Sequence, residues 1–217
     1  MGQFLHSLNI NNYVENYTSP EDPVLAKLNR ETNLKVELPV MLSGHLQGAV
    51  LQAFSYMLRP RRILEIGTYT GYSAICLAKG LAEDGHLHTI DINEELKDMC
   101  FDYICEAGLE GRITQHIGKA ENIMPELDEV FDLVFIDADK INYSRYYDQV
   151  FDKVRIGGFI LADNVLYDGE VVLPPDEQSK NAKAIHAFNE KLRNDPRIEH
   201  VLLPVRDGIM IARKTKE

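Results

Sequence analysis

From Arg61 onward the chain alternates between two hydrophobic rhythms. Short apolar runs at 63–66, 88–92, 113–117, 133–136 and 159–162 are bounded by polar or glycine-containing stretches and are too short for helices. They predict strands buried on both faces, as in a parallel sheet. Between them Leu96, Met99, Cys100, Tyr103, Ile104 and Ala107 recur at the i, i+3, i+4, i+7 spacing of an amphipathic helix, and so do Tyr143, Tyr146, Tyr147, Val150, Phe151 and Val154. That spacing makes the three tyrosines core or interface aromatics. Strands alternating with helices predict a doubly wound α/β fold. A last helix is expected over 179–194. The segments 199–203 and 209–212 then flank Arg206-Asp207-Gly208, a turn that suits an antiparallel pair.

The first forty residues follow a different pattern. Helical spacing covers 10–17 and 23–32, the second entered through Ser19-Pro20-Glu21-Asp22-Pro23, a helix-start signature. A longer amphipathic helix follows at 43–58, with Leu46, Val50, Phe54 and Met57 or Leu58 on one face. No repeat or long linker interrupts the chain, and 217 residues at 45% hydrophobic content suffice for one core or at most two small ones. The expectation is one domain over 1–217, with residues 1–40 as an arm packed on the body or on a second subunit.

Charge narrows the partners. Thirty-four acidic against twenty-three basic residues leave a formal net charge of −11, which repels a phosphate backbone and argues against nucleic acid. No run reaches the roughly 18 apolar residues of a membrane span, and Met1-Gly-Gln-Phe-Leu-His lacks a secretion-signal layout, so a cytoplasmic protein is expected. Cys76, Cys100 and Cys105 show no C-x-x-C spacing and read as buried thiols.

Two clusters carry candidate chemistry. Leu64-Glu65-Ile66-Gly67-Thr68-Tyr69-Thr70-Gly71-Tyr72-Ser73 ends a strand and opens a helix, where Gly67 and Gly71 permit a sharp turn and a close ligand approach. Its G-x-x-x-G spacing differs from the G-x-G-x-x-G that seats a pyrophosphate, and so favours a cofactor without phosphates. Asp91 ends the next strand, where a carboxylate accepts ribose hydroxyls. Alternatively these residues form a plain strand-to-helix turn with a solvated Asp.

The second cluster is Asp137-Ala138-Asp139-Lys140 and Asp163-Asn164, each leaving an apolar strand on the carboxyl edge that Gly67 and Asp91 share. Asp137, Asp163 and Asn164 offer hard oxygen donors suited to Mg²⁺, Mn²⁺ or Ca²⁺, whereas the scattered histidines give zinc no support. Any single Asp here serves equally well as a turn former or helix cap, and Lys140 as a surface partner of Asp137 or Asp139.

Four ordered blocks between about residues 41 and 213 resemble the cation-dependent O-methyltransferases, which include caffeoyl-CoA O-methyltransferase and, more distantly, catechol O-methyltransferase. They are the 64–73 segment; Asp137-Ala138-Asp139-Lys140-x-Asn142-Tyr143; Asp163-Asn164-Val165-Leu166-Tyr167-x-Gly169; and Asp195-Pro196-Arg197-Ile198-Glu199 with Leu203-Pro204-Val205-x-Asp207-Gly208. The resemblance implies a seven-stranded class I methyltransferase fold with an antiparallel last strand, usually dimeric. It implies that Ser43, Glu65, Gly67, Thr68, Tyr72, Ser73, Asp91, Ala120, Asp137 and Asp139 surround S-adenosylmethionine. Asp137, Asp163 and Asn164 would hold the divalent cation, Lys140 would take the hydroxyl proton, and Asp168 would touch substrate. Gln47 stands where the family usually has Glu, Arg206 where plant members have Gly, and the arm matches poorly.

The implied reaction moves a methyl group to one hydroxyl of a catechol-like small molecule, since two adjacent hydroxyls chelate a cation together. Competing readings are a nicotinamide-dependent dehydrogenase, a non-catalytic S-adenosylmethionine-binding protein, and a protein or RNA methyltransferase. The missing third glycine, the retained Lys140 with its acidic set, and the net charge count against them in turn.

Overall fold

The computed structural model describes residues 8–217. Residues 1–7, on which the reading of the N-terminal signal layout falls, lie outside the described residues. The apolar runs become β1 (Arg62–Ile66), β2 (His86–Asp91), β3 (Ile113–Ile117), β4 (Phe131–Ile136), β5 (Val154–Ala162), β6 (Ile198–Leu203) and β7 (Ile209–Lys214). They form one seven-stranded sheet in the order β3-β2-β1-β4-β5-β7-β6. Only β7 runs antiparallel, pairing Leu161 with Ile211 on one side and Val201 with Ile211 on the other. This is the predicted doubly wound α/β arrangement with its closing hairpin.

Neighbouring residues of β1 and β4 enter two different cores, which is why these strands read as unbroken apolar runs. One core takes Ile63, Phe135 and Leu161 together with α2 (Pro23–Lys35), α3 (Gly44–Leu58), α4 (Tyr72–Ala78) and α5 (Lys97–Glu106); α1 (Leu8–Asn16) precedes them. The other takes Leu64, Ile66, Val134 and Ile136 with α6 (Ala120–Ile123), α7 (Tyr143–Phe151) and α8 (Lys180–Arg193). Each fully buried Leu, Ile or Phe contributes roughly 1.5–3 kcal/mol. Burial on both faces fails at the sheet's β3 edge, where only Ile113 of that strand is buried, and β2 leaves His86, His88 and Asp91 half-buried.

Three local expectations need correction. Helix α7 stops at Phe151, and Val154 opens β5 instead, five residues before the predicted strand. The fully buried residues of α3 are Gln47, Gly48, Leu51 and Ser55; of the predicted stripe, Phe54 and Leu58 are partly buried against this core, Leu46 and Val50 are half-buried, and Met57 is 71% exposed. Small residues turn that face inward because α3 and α4 touch: a Cβ on Gly48 would sit 2.6 Å from the Tyr72 ring. Cys105 is exposed, since the helical phase that buries Cys100, Tyr103 and Ile104 turns it outward, whereas Cys76 and Cys100 are buried as expected.

The arm settles on the body. Asp22 caps α2 by accepting from the Val24 amide at 2.8 Å and pairs with Lys79 at the end of α4, also at 2.8 Å. Leu25 and Leu28 are buried in the core beside α4. Among the described residues no helix is long and apolar enough to cross a membrane.

Candidate active site

One row of backbone hydrogen bonds aligns the carboxyl ends of five strands. The amides of Gly118, Gly67, Asp137 and Asp163 donate to the carbonyls of Asp91, Ile90, Ile66 and Ile136 at 2.8, 2.9, 2.8 and 3.0 Å. The strand order reverses between β1 and β4, the position where open α/β sheets bind ligands. A cleft of about 940 Å³ opens there.

Gly67 makes room for the protein more than for a ligand. Its φ is 104°, and a Cβ would meet the Asp137 carbonyl oxygen at 1.9 Å, so the glycine is what lets the β1 and β4 loops approach. Gly71, at φ 88°, caps α4, with the Cys100 sulfur occupying the space its Cβ would need. Asp91 is held by both oxygens: Oδ2 accepts from the Tyr69 amide at 2.7 Å and Oδ1 from the Asn93 amide at 2.8 Å. The arm closes this end. The Tyr72 hydroxyl donates to Glu21 Oε1 at 2.5 Å, the Tyr69 hydroxyl to the Glu37 carbonyl at 3.1 Å, and residues 40–43 line the cleft wall.

Ser43, Gly67, Thr68, Tyr72, Ser73, Asp91, Ala120, Asp137, Asp139, Lys140, Asp163, Asn164 and Asp168 all line this one cleft. Glu65 does not. It is fully buried behind the wall, where the Thr89 hydroxyl donates to its Oε2 at 2.6 Å and its Oε1 has no partner. Strand alternation turns it inward while the loop that follows opens onto the cleft. Burial, with the charges of Asp137 and Asp91 adding to it, pushes its carboxyl up to about 8 against the opposing effect of its hydrogen bonds.

At the other end Asp163 is 4% exposed. Its Oδ2 accepts from Gln47 Nε2 at 2.8 Å, and its Oδ1 is buried without a partner. Burial and the charge of Asp137 raise its carboxyl to about 7, against the opposing effects of the Gln47 amide and Lys140. Asn164, at a left-handed φ of 56°, donates from its amide nitrogen to Asp207 Oδ2 at 3.0 Å, so that its oxygen is the atom left to ligate. An orphaned buried carboxylate oxygen beside a second carboxylate and an amide oxygen fits a hard divalent cation. Among the described residues no three His, Cys, Asp or Glu side chains cluster closely enough to cage a metal by themselves. Two carboxylates and one amide therefore need water or substrate oxygens to complete a shell. Lys140 is no surface residue: it donates to Asp137 Oδ1 at 2.9 Å and to the Tyr143 hydroxyl at 2.8 Å, with its side chain 15% exposed.

The O-methyltransferase family model matches residues 15–215. The chain is 35% identical over 215 residues to caffeoyl-CoA O-methyltransferase 1 of Arabidopsis thaliana, covering 93% of this chain and 82% of that one. The chain belongs to the O-methyltransferase family. Solved relatives include the O-methyltransferase TomG of Streptomyces achromogenes with S-adenosylmethionine bound, at 30% identity, TM-score 0.88 and 96% coverage of both chains. Another is the Bacillus cereus O-methyltransferase in complex with S-adenosylhomocysteine, at 31% identity and TM-score 0.86, with 95% of this chain and 97% of that one covered.

This O-methyltransferase also uses polar residues to which the sequence reading gave no role. Asp207 accepts from the Asn164 amide and, at 2.6 Å, from the Asp168 backbone N–H, joining the hairpin turn to the cleft. In the sequence it stands in the turn and in the last of the four blocks, neither of which assigns it a role. Tyr143 and Tyr147 are buried as core aromatics, but the Tyr143 hydroxyl meets Lys140, and the Tyr146 hydroxyl donates to Asp139 Oδ1 at 2.5 Å.

Proposed function

We propose that this S-adenosylmethionine-dependent O-methyltransferase acts on one hydroxyl of a catechol-like small molecule with the help of a divalent cation of the magnesium, manganese or calcium kind. One observation carries the reading: a single cleft holds the Asp91 end, suited to a nucleoside, and the Asp137–Asp163–Asn164 end, whose buried Asp163 Oδ1 lacks a partner. A cleft of that volume admits the cofactor and a small acceptor side by side. The caffeoyl-CoA O-methyltransferases among the relatives agree with an acceptor bearing adjacent hydroxyls.

In this reading Asp91, Thr68, Ser73, Tyr72, Ala120, Asp139 and Ser43 surround the cofactor, with Glu65 acting from behind the wall. Asp137, Asp163 and Asn164 hold the ion. When bound, such an ion supplies the charge that lets a phenol of ordinary pKa about 10 ionise near neutrality, most effectively for an acceptor offering two adjacent oxygens. Lys140, fixed by Asp137 and Tyr143, takes the hydroxyl proton in its neutral amine form and becomes an ammonium, and Asp168 at the rim touches the acceptor. The cleft walls hold oxygen and methyl carbon in line, from which much of the acceleration derives.

The reading treats residues 1–217 as one methyltransferase domain with residues 1–40 as its arm, supported by the two cores sharing one sheet and by the burial of Leu25 and Leu28. It includes a homodimer, for which the half-buried Leu46 and Val50 of α3 and the exposed Met57 supply apolar surface.

The test is methyl transfer from labelled S-adenosylmethionine to a panel of catechols and matching monophenols, with and without chelator, by wild type and Asp163→Ala. The expected result is transfer to catechols only, abolished by chelator and lowered by orders of magnitude in Asp163→Ala, with cofactor affinity little changed. Undiminished transfer in saturating chelator would remove the cation from the function.

A further inference from the structure

Three residues from distant parts of the chain form one hydrogen-bonded line into the acidic end of the cleft. Arg206, in the turn between β6 and β7, donates from Nη1 to Gln47 Oε1 at 3.2 Å and to the Leu42 carbonyl at 3.1 Å. Gln47, on α3 and 1% exposed, donates from Nε2 to Asp163 Oδ2 at 2.8 Å. Asp163 Oδ1 is left buried and unpartnered.

A side-chain amide beside a carboxylate has two orientations of nearly the same shape, and only the one with nitrogen toward the carboxylate is attractive. A guanidinium at the far side removes the ambiguity, because it can only donate and so demands the amide oxygen. Arg206 thereby sets which face of Gln47 meets Asp163. The arginine is itself held in place: its backbone is left-handed at φ 49°, and its two acceptors are neutral oxygens.

We propose that Arg206 is a positioning residue which, through Gln47, commits Asp163 Oδ2 to the protein and presents Oδ1 alone to the cation. The inference rests on the divalent-cation reading above. Removing such an outer partner weakens metal affinity about 10–100-fold in comparable sites. The effect travels by way of Gln47, so it must vanish once Gln47 is gone.

The experiment titrates Mn²⁺ into the full-length protein, following free ion by electron paramagnetic resonance, for wild type, Arg206→Met, Arg206→Lys, Gln47→Leu and the Arg206→Met/Gln47→Leu double variant. S-adenosylhomocysteine affinity, measured in parallel, reports that each variant folds. The expected result is an affinity lowered at least about tenfold in Arg206→Met. Arg206→Lys, which can still donate to Gln47, recovers most of it, and the double variant is no weaker than Gln47→Leu. Wild-type Mn²⁺ affinity in Arg206→Met, or losses that simply add in the double variant, would overturn the positioning role while leaving the cation reading intact. Failure of the wild type itself to bind Mn²⁺ or Mg²⁺ would instead overturn the cation reading, and this inference with it.

Discussion

The Thr89 hydroxyl donates to Glu65 Oε2 at 2.6 Å, and Thr68 of the cleft wall lies 2.5 Å from that same hydroxyl. A fully buried carboxyl is thus connected to the Asp91 end of the cleft through two threonines. Because burial raises its folded pKa to about 8, above the ordinary carboxyl value of 4.5, ionisation favours the unfolded chain. The contribution to stability is fully present below pH 4.5 and is lost as pH rises toward 8. Glu65→Gln cannot ionise. Denaturant unfolding of this variant should show a stability slope between those pH values that is shallower than wild type, by up to about 1.4 kcal/mol per pH unit. Parallel slopes would mean that Glu65 ionises alike in the folded and unfolded chain, so that burial does not raise its carboxyl.

Gly67→Ala should be among the most damaging single substitutions in the chain. The new Cβ meets the Asp137 carbonyl at 1.9 Å, and both partners are backbone at φ 104° on one side and a strand end on the other. A loss above about 4 kcal/mol is expected, the exceptional range for one substitution. Gly108→Ala supplies the control: its φ is also positive, 68°, but nothing lies within 4 Å of the added atom. There only the conformational cost of about 1–2 kcal/mol applies. Thermal melts of both variants separate steric collision from backbone preference.

These two glycines show what was legible in the sequence. That Gly67 turns the chain could be read from a strand running into a helix, and parallel-sheet geometry then placed Asp91, Asp137 and Asp163 on the same edge. What fills the space beside Gly67 depends on β4, seventy residues away, and no local pattern carries it. Glu65 and Thr68 sit three residues apart in one motif, yet only the threonine lines the cleft, because a strand residue and a loop residue obey different geometry. Gln47 lies in a helix whose apolar pattern pointed to Leu46 and Val50 as the inner face. Burial of a polar residue becomes readable only once its partners, Asp163 and Arg206, are placed.

A separate acid sensitivity arises on the sheet near its β3 edge. His88 Nδ1 lies 2.9 Å from His116 Nε2, and its Nε2 lies 3.4 Å from Glu129 Oε2, which Arg62 also faces at 3.2 Å; His86 meets the Thr114 hydroxyl at 2.8 Å. Burial holds all three imidazoles below the usual histidine value of 6.5, with Glu129 only partly opposing this for His86 and His88. The charged form therefore favours the unfolded chain. Stability from this cluster is present above pH 6.5 and is lost as pH falls through 6.5 toward the lower folded values. Unfolding midpoints should drop between pH 7.5 and 5.5 more for wild type than for His88→Gln. Equal drops would place the acid sensitivity elsewhere.

Lys140 separates two roles that look alike in structure. Its Nζ pairs with Asp137 at 2.9 Å, so it serves either, as a neutral amine, as the group that takes the acceptor's proton or, as an ammonium, as a fixed charge that steadies Asp137. The neighbouring Tyr143 hydroxyl, 2.8 Å away, cannot replace the lysine as base, because burial raises its pKa well above the ordinary value and no phenolate forms near neutrality. Arginine keeps the positive charge and can still pair with Asp137, but it does not lose a proton in the accessible pH range. If Lys140 accepts the proton, Lys140→Arg and Lys140→Met should both lower kcat by about 10²–10⁴ with cofactor affinity preserved. If it only balances charge, Lys140→Arg should retain near-normal kcat while Lys140→Met fails. Single-turnover rates of the two variants with a catechol acceptor distinguish the outcomes. Proton transfer requires the arginine variant to fall with the methionine one, since the two differ in charge and share only the inability to accept a proton.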